Sequence, residues 1–150
     1  MLSTEGIDFS TIFATRREYC RILLEMSRRQ FELVQNADYA GLLELLGRKQ
    51  RLLGRLDQLN QSHPDLWEQW RQRRDYLPAE ARSRCERILK ESEDLLAQVL
   101  AQEKQGTDLL TAQRDATQQQ LETIAQGIQT QEAYRDHLAP ATHRRLDVNQ

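Results

Sequence analysis

Apolar residues recur every seven positions along the first part of the chain. Ile12, Tyr19, Met26 and Leu33 form one line, and Phe9, Ile22 and Leu23 widen it into a stripe. Steps of three and four inside a seven-residue period are helical, and the two-residue alternation of a strand is missing. The pattern predicts a first helix from about Asp8 or Ser10 to Gln35, with residues 10–35 as its body. The stretch "QNAD" at 35–38 ends it. Asp38 is placed to cap the next helix by accepting an N–H from its first turn.

That next segment, "DYAGLLELLGRKQRLLGRLDQL" at 38–59, carries eight leucines and three glycines. Leu45, Lys49, Leu52, Leu56 and Leu59 step by four, three, four and three, which predicts a helix over 39–61. Leu42, Leu46 and Leu53 form an adjoining row. Two rows require two neighbours, or one neighbour plus a partner, because a two-stranded seam uses only one row. If a partner is bound elsewhere on the chain, the second row can stay in the intramolecular core. Gly47 and Gly54 share a face and each costs about 1 kcal/mol relative to alanine, so a close helix approach is expected there.

"SHPDLWEQW" marks a break, with Ser62 or His63 as the expected cap and Pro64 in the first turn of a short helix over 65–76. Its apolar residues are Leu66, Trp67, Trp70 and Leu77, with Tyr76 near its end, and the tryptophans are expected to cover one end of a bundle. "YLPAE" repeats the device, and Pro78 opens a very long helix over 79–137. At 1.5 Å per residue that helix spans on the order of 90 Å if straight. No other helix in the chain is as long, so part of it must fold back, fray or pack against another molecule. Cys85, Ile88, Ser92, Leu95 and Val99 keep one seam, helped by Leu89, Leu96 and Leu100. Beyond Leu109 and Leu110 the stripe thins to Leu121, Ile124 and Ile128 among glutamines. Three aliphatic side chains contribute about 1.5–3 kcal/mol each if fully buried. Ordering some 25 residues costs roughly 1–2 kcal/mol of backbone entropy apiece. The distal segment is therefore expected to be marginal until it meets a partner.

The expected fold is all-α, an elongated antiparallel helical bundle or coiled coil with a long C-terminal helix. Residues 1–138 form the helical domain, 113–138 its distal partner-binding helix, and 139–150, broken by Pro140, a disordered tail. An apolar fraction of 39%, a charged fraction of 29%, six glycines and three prolines suit long helices with polar outer faces. A net charge of -2 gives no general pull toward nucleic acid or anionic lipid. No stretch approaches the roughly 18 apolar residues of a membrane span, and "MLSTEGIDF" lacks the features of a secretory signal. Cys20 and Cys85, with no CxxC, read as reduced packing residues of a cytoplasmic protein.

Candidate chemistry is sparse. His63, His137 and His143 lie beside helix breakers or in the tail. There is no ExxH pair, no HExxH, no glycine-rich phosphate loop and no nucleophile elbow. No catalytic residue, metal ligand or cofactor is expected, and the chain does not read as an enzyme. Arg71, Arg73, Arg74, Arg82, Arg84, Arg87 and Lys90 make residues 71–90 basic. Asp75, Glu80 and Glu86 interrupt the run and only Tyr76 is there to stack on a base, so it reads as a solvated face rather than a nucleic-acid footprint.

A first amphipathic helix, the break "NAD", and leucine doublets around an Arg-Lys-Gln core in "LLELLGRKQRLLGRLDQL" together resemble the flagellar export chaperone FlgN family. Lys49 occupies the lysine that the family's second helix commonly carries between leucines. The long last helix, with Leu109, Leu110 and a late Tyr134, is similar to the family's partner-binding C-terminal region. The resemblance covers residues 10–136. It departs at "YRDHLAP", where family members often carry a glycine soon after the tyrosine. It implies a cytoplasmic helical chaperone that holds hook–filament junction proteins and escorts them to the flagellar export apparatus, binding clients mainly through its C-terminal helix. The thinning stripe points independently to the same segment, as helix-in-groove recognition requires. Leu110, Leu121, Ile124, Ile128 and Tyr134 are the expected partner-binding residues. A chaperone of the filament cap protein is the nearest alternative. A structural coiled coil that forms a homodimer and holds no client is a second.

Overall fold

A computed structural model describes residues 7–138. Within them the chain forms α1 (Phe9–Gln35), α2 (Tyr39–Ser62), α3 (Leu66–Arg73), a 3-10 turn (Arg74–Tyr76) and α4 (Ala79–Leu138). No strand occurs among the described residues, and the protein is an all-α helical bundle. The tail at 139–150 and His143 lie outside the described residues.

The helix ends follow their local chemistry. Asp8 caps α1, accepting from the Thr11 N–H at 3.2 Å and the Thr11 hydroxyl at 2.6 Å. Those hydrogen bonds hold its carboxyl below the usual carboxylate range. Asp38 caps α2 by accepting from the Gly41 N–H at 3.0 Å. A Cβ on Gly41 would stand 2.7 Å from the Asp38 carboxylate and 3.0 Å from Leu33, so the glycine lets this corner close. The end of α1 is a Schellman motif: Asp38 N–H donates to Leu33 C=O at 2.9 Å and Ala37 N–H to Val34 C=O at 3.1 Å. Ala37 takes the left-handed position that glycine usually fills, with φ 54°. Pro64 does not sit inside α3, contrary to expectation. It occupies the second position of a turn closed by Leu66 N–H to His63 C=O at 3.1 Å, the place in a turn that proline's fixed φ favours. His63 ends α2, and Asp65 starts α3. Pro78 opens α4 as expected, its carbonyl accepting from Arg82 N–H at 2.9 Å.

The chain divides into two units at Leu109/Leu110. In the first, α1, α2 and the proximal part of α4 pack up, down and up. Arg17 pairs with Glu91 at 2.7 Å, 74 residues on, and Ser27 reaches Glu103, so α1 and α4 run in the same direction. Continuing that register puts Gln35, the last residue of α1, level with residue 109, where the unit ends.

The core has two parts. At one end Phe9, Ile12, Phe13, Leu66, Trp70, Cys85 and Ile88 are buried together. Trp70 meets Phe9 and Phe13 edge-on at 5.3 and 5.2 Å, an aromatic geometry favoured beyond burial alone. Trp67 is 41% exposed, stacked on Phe13 at 5.6 Å with the Arg16 guanidinium over its ring. The short α3 thus closes the bundle end, as expected. In the second part Leu23, Leu24, Leu52 and Val99 pack with Tyr19, Ile22, Met26 and Leu95.

Two expectations about α2 are overturned. Leu45 and Leu52 are buried and Leu56 and Leu59 half-buried, but Leu46 and Leu53 are 38% and 40% exposed and Leu43 is 71% exposed. Of the second row, Leu42 is half-buried while Leu46 and Leu53 are exposed, so that row is covered only in part. Gly47 and Gly54 make no close approach either: a Cβ at Gly54 would meet nothing within 4 Å, and one at Gly47 only the Arg51 guanidinium at 3.9 Å. Leu100, expected to help the α4 seam, is 70% exposed. It lies about 100° round the helix from buried Val99. The last helix, α4, runs from Ala79 to Leu138.

Candidate partner-binding surface of the distal helix

The second unit consists, among the described residues, of the α4 segment from Leu110 onward. Every residue from 114 to 135 is exposed, so no described residue of the unit covers its apolar side chains. Leu121 is 61%, Ile124 58%, Ile128 49% and Leu110 40% exposed. At roughly 100° per residue, Leu110, Leu121 and Ile128 fall within about 20° of one line, with Ile124 about 60° to one side of Leu121. Tyr134 is 68% exposed but lies a further 80° or so round the helix. Helical geometry therefore brings four of the five expected residues onto one face and sets the tyrosine beside it.

The stripe has defined ends. Arg114 and Thr117 fill its line between Leu110 and Leu121, and Arg114 pairs with Asp115 at 3.5 Å. Glu132 and Arg135 lie on it after Ile128. The apolar block is therefore Leu121–Ile124–Ile128, about two turns, with charges before and after it. Such a block suits helix-in-groove docking, where aliphatic anchors at spacings of three and four enter a partner groove.

The first unit holds a polar cluster that sequence reading assigned only in part. Lys49, placed in the leucine seam, donates to Gln30 at 2.9 Å and to the Glu103 carboxylate, which also accepts from the Ser27 hydroxyl at 2.7 Å. The Lys49 side chain is 13% and that of Glu103 32% exposed. Burial pushes the Glu103 carboxyl up, but hydrogen bonds from Lys49 and Ser27 and the lysine's charge bring it below its ordinary value. The cluster ties α1, α2 and α4 together. No signal in the sequence paired Lys49 with Glu103, 54 residues on.

Cys20 and Cys85 are free thiols, 1% and 2% exposed, and burial raises both above the usual thiol range. In the basic stretch, Arg71 pairs with Glu68, and Arg82 with Asp75 and Glu86. Among the described residues no group of histidine, cysteine and acidic side chains is arranged to hold a metal. No helix among them is long and apolar enough to cross a membrane. No protein-family model, curated protein or solved structure matches the chain.

Proposed function

We propose that the protein is a cytoplasmic, non-enzymatic chaperone of flagellar type III export. Its clients are hook–filament junction proteins, its destination is the flagellar export apparatus, and the binding element is the distal part of α4. The observation that carries this reading is the exposure of Leu121, Ile124 and Ile128 on one face of a helix, with no described residue of their unit covering them. The leucine–lysine pattern of α2 supports the family, and Lys49 lies at the centre of the cluster that joins the three long helices.

The client groove supplies the apolar surface that the distal helix lacks. Ordering the segment on the client consumes part of the interaction energy, so affinity is moderate for the area covered. The reading is tested by mixing purified hook–filament junction proteins with the wild-type chain and with a Leu121→Asp/Ile124→Asp variant in isothermal titration calorimetry. Binding by the wild type and loss by the variant is expected, because the variant would bury two charges in an apolar groove. Equal binding by both would remove the distal face from the mechanism. Binding of the filament cap protein alone would move the chain to the alternative client.

A further inference from the structure

Each long helix of the first unit carries a row of charged residues at spacings of three and four. On α1 the row is Glu18, Arg21, Glu25, Arg29 and Glu32, acids and bases in turn. Arg21 pairs there with Glu18 and Glu25, and Arg29 with Glu32. On α4 it is Glu80, Arg84, Arg87 and Glu91, again in balance. The row on α2 is not balanced. It runs Glu44, Arg48, Arg51, Arg55, one acid against three bases, all exposed. Among the described residues none of these three arginines pairs with a carboxylate. Like charges three and four residues apart weaken a helix, so α2 keeps this row at a cost to its own stability.

The packing of α2 places the row. Measured from buried Leu45, Arg48, Arg55 and Arg51 lie about 60°, 80° and 120° round the helix to one side. That side borders α1: Arg48 lines a cavity with Arg29 of α1, closed by Leu33, Asp38, Glu44 and Leu45. Lys49, on the other side of Leu45, turns to Glu103 of α4. The Arg51 guanidinium reaches outward over Gly47, 3.9 Å from where a Cβ would stand. The row therefore covers the flank of α2 from the α1 groove to the outer surface. The cavity itself is not the anion site, because Asp38 and Glu44 balance its two arginines. The unbalanced charge lies further along α2, at Arg51 and Arg55.

We infer that this row docks an acidic helix of a partner protein, whose carboxylates stand three and four residues apart and face Arg48, Arg51 and Arg55. A guanidinium takes a carboxylate through two parallel N–H groups, which gives each contact a direction as well as a charge. The three arginines span about 10 Å along the axis, and a second helix presents acids at the same pitch. An extended chain covers that length in about three residues and turns alternate side chains away. A nucleic acid fits less well: the one aromatic residue of α2, Tyr39, lies well round the helix from the row, and the net charge of -2 opposes a polyanion at a distance. Anionic lipid surfaces are held by clusters of roughly four to eight basic residues, more than this row supplies.

The probe is a capped alanine peptide of about twenty residues, long enough to be helical by itself, with glutamates at successive spacings of four, three and four. Titrated at low salt into the ¹⁵N-labelled full chain, it should shift the amide signals of residues 48–55 and saturate below about 1 mM. A peptide of equal composition with its glutamates spread round the helix should bind several-fold more weakly. Arg51→Gln/Arg55→Gln should weaken binding at least fivefold, and because both residues are exposed its melting temperature should match or exceed that of wild type. Arg84→Gln/Arg87→Gln, from the balanced row, should bind as wild type does. Raising the salt to about 0.3 M should weaken binding at least threefold by screening. No saturable shift below about 1 mM overturns the proposal, as does undiminished binding by Arg51→Gln/Arg55→Gln. Tighter binding of phosphatidylserine vesicles or of a single-stranded oligonucleotide through the same arginines overturns it too. Leu121→Asp/Ile124→Asp should bind the peptide as wild type does; loss there would place the contact on the distal helix and refute the α2 site. Hook–filament proteins are absent from these measurements, so the outcome is independent of the client assignment.

Discussion

Ala37 is the one non-glycine residue with positive φ among those described. It holds the αL position that closes the end of α1, and a side chain there costs roughly 1 kcal/mol relative to glycine. Ala37→Gly should therefore stabilise the protein by about 0.5–1 kcal/mol, read as a shift in urea midpoint at unchanged m-value. "QNAD" announced a break but not this geometry, because alanine gives no hint of a left-handed residue. Glu103 shows the same gap between sequence and site. Its folded-state carboxyl titrates below the ordinary value of 4.5, so the unfolded chain takes up the proton first as pH falls. The stability it contributes is complete above the ordinary glutamate range and is lost as pH drops through the folded-state value. Glu103→Gln should lower the melting temperature at neutral pH and flatten its fall below about pH 4.5; an unchanged acid limb would mean that Lys49 does not hold that charge. Lysine in a leucine seam was legible as unusual. Its acceptor was not, since nothing local connects residues 49 and 103.

The helices themselves were legible because hydrophobic period is a local property, and each long helix begins at a residue whose capping chemistry is also local. Which row of a helix is buried depends on how many neighbours it has, and that is tertiary. α2 carries leucines for two rows, one covered and the other, Leu42, Leu46 and Leu53, covered only in part. Leu52→Ala should cost about 2–5 kcal/mol, as truncation of a buried leucine does, whereas half-buried Leu56→Ala should cost less and exposed Leu43→Ala almost nothing. Equal losses at positions 52 and 43 in urea melts would contradict this order of burial. The glycines followed the same logic: a close approach was expected inside the fold, and the space they leave lies outside it.

Across the whole molecule, the candidate client face was the most legible functional feature, since a stripe of three aliphatics in a run of glutamines needs no tertiary information to be seen. Tyr134 was less so, because its angular offset from that stripe emerges only when the helix is continuous through residue 134. In the free protein, amide exchange should be fast from about residue 113 onward and slow after a client is added; strong protection of 113–137 in the free chain would contradict the client-ordered helix. Cys20→Ser with Cys85→Ser should leave client binding within a few-fold, as both thiols are enclosed and raised in pKa. The placement of the aromatic residues has an optical consequence. The chain's two tryptophans both belong to α3, where Trp70 is sealed by Phe9 and Phe13 and Trp67 lies under Arg16. Indole emission therefore reports the bundle end in the first unit, whereas far-ultraviolet ellipticity sums over every helix. Heating the same sample under both probes gives each unit its own signal: coincident curves would mean one cooperative transition, and a loss of ellipticity ahead of any change in emission would be the distal helix melting by itself.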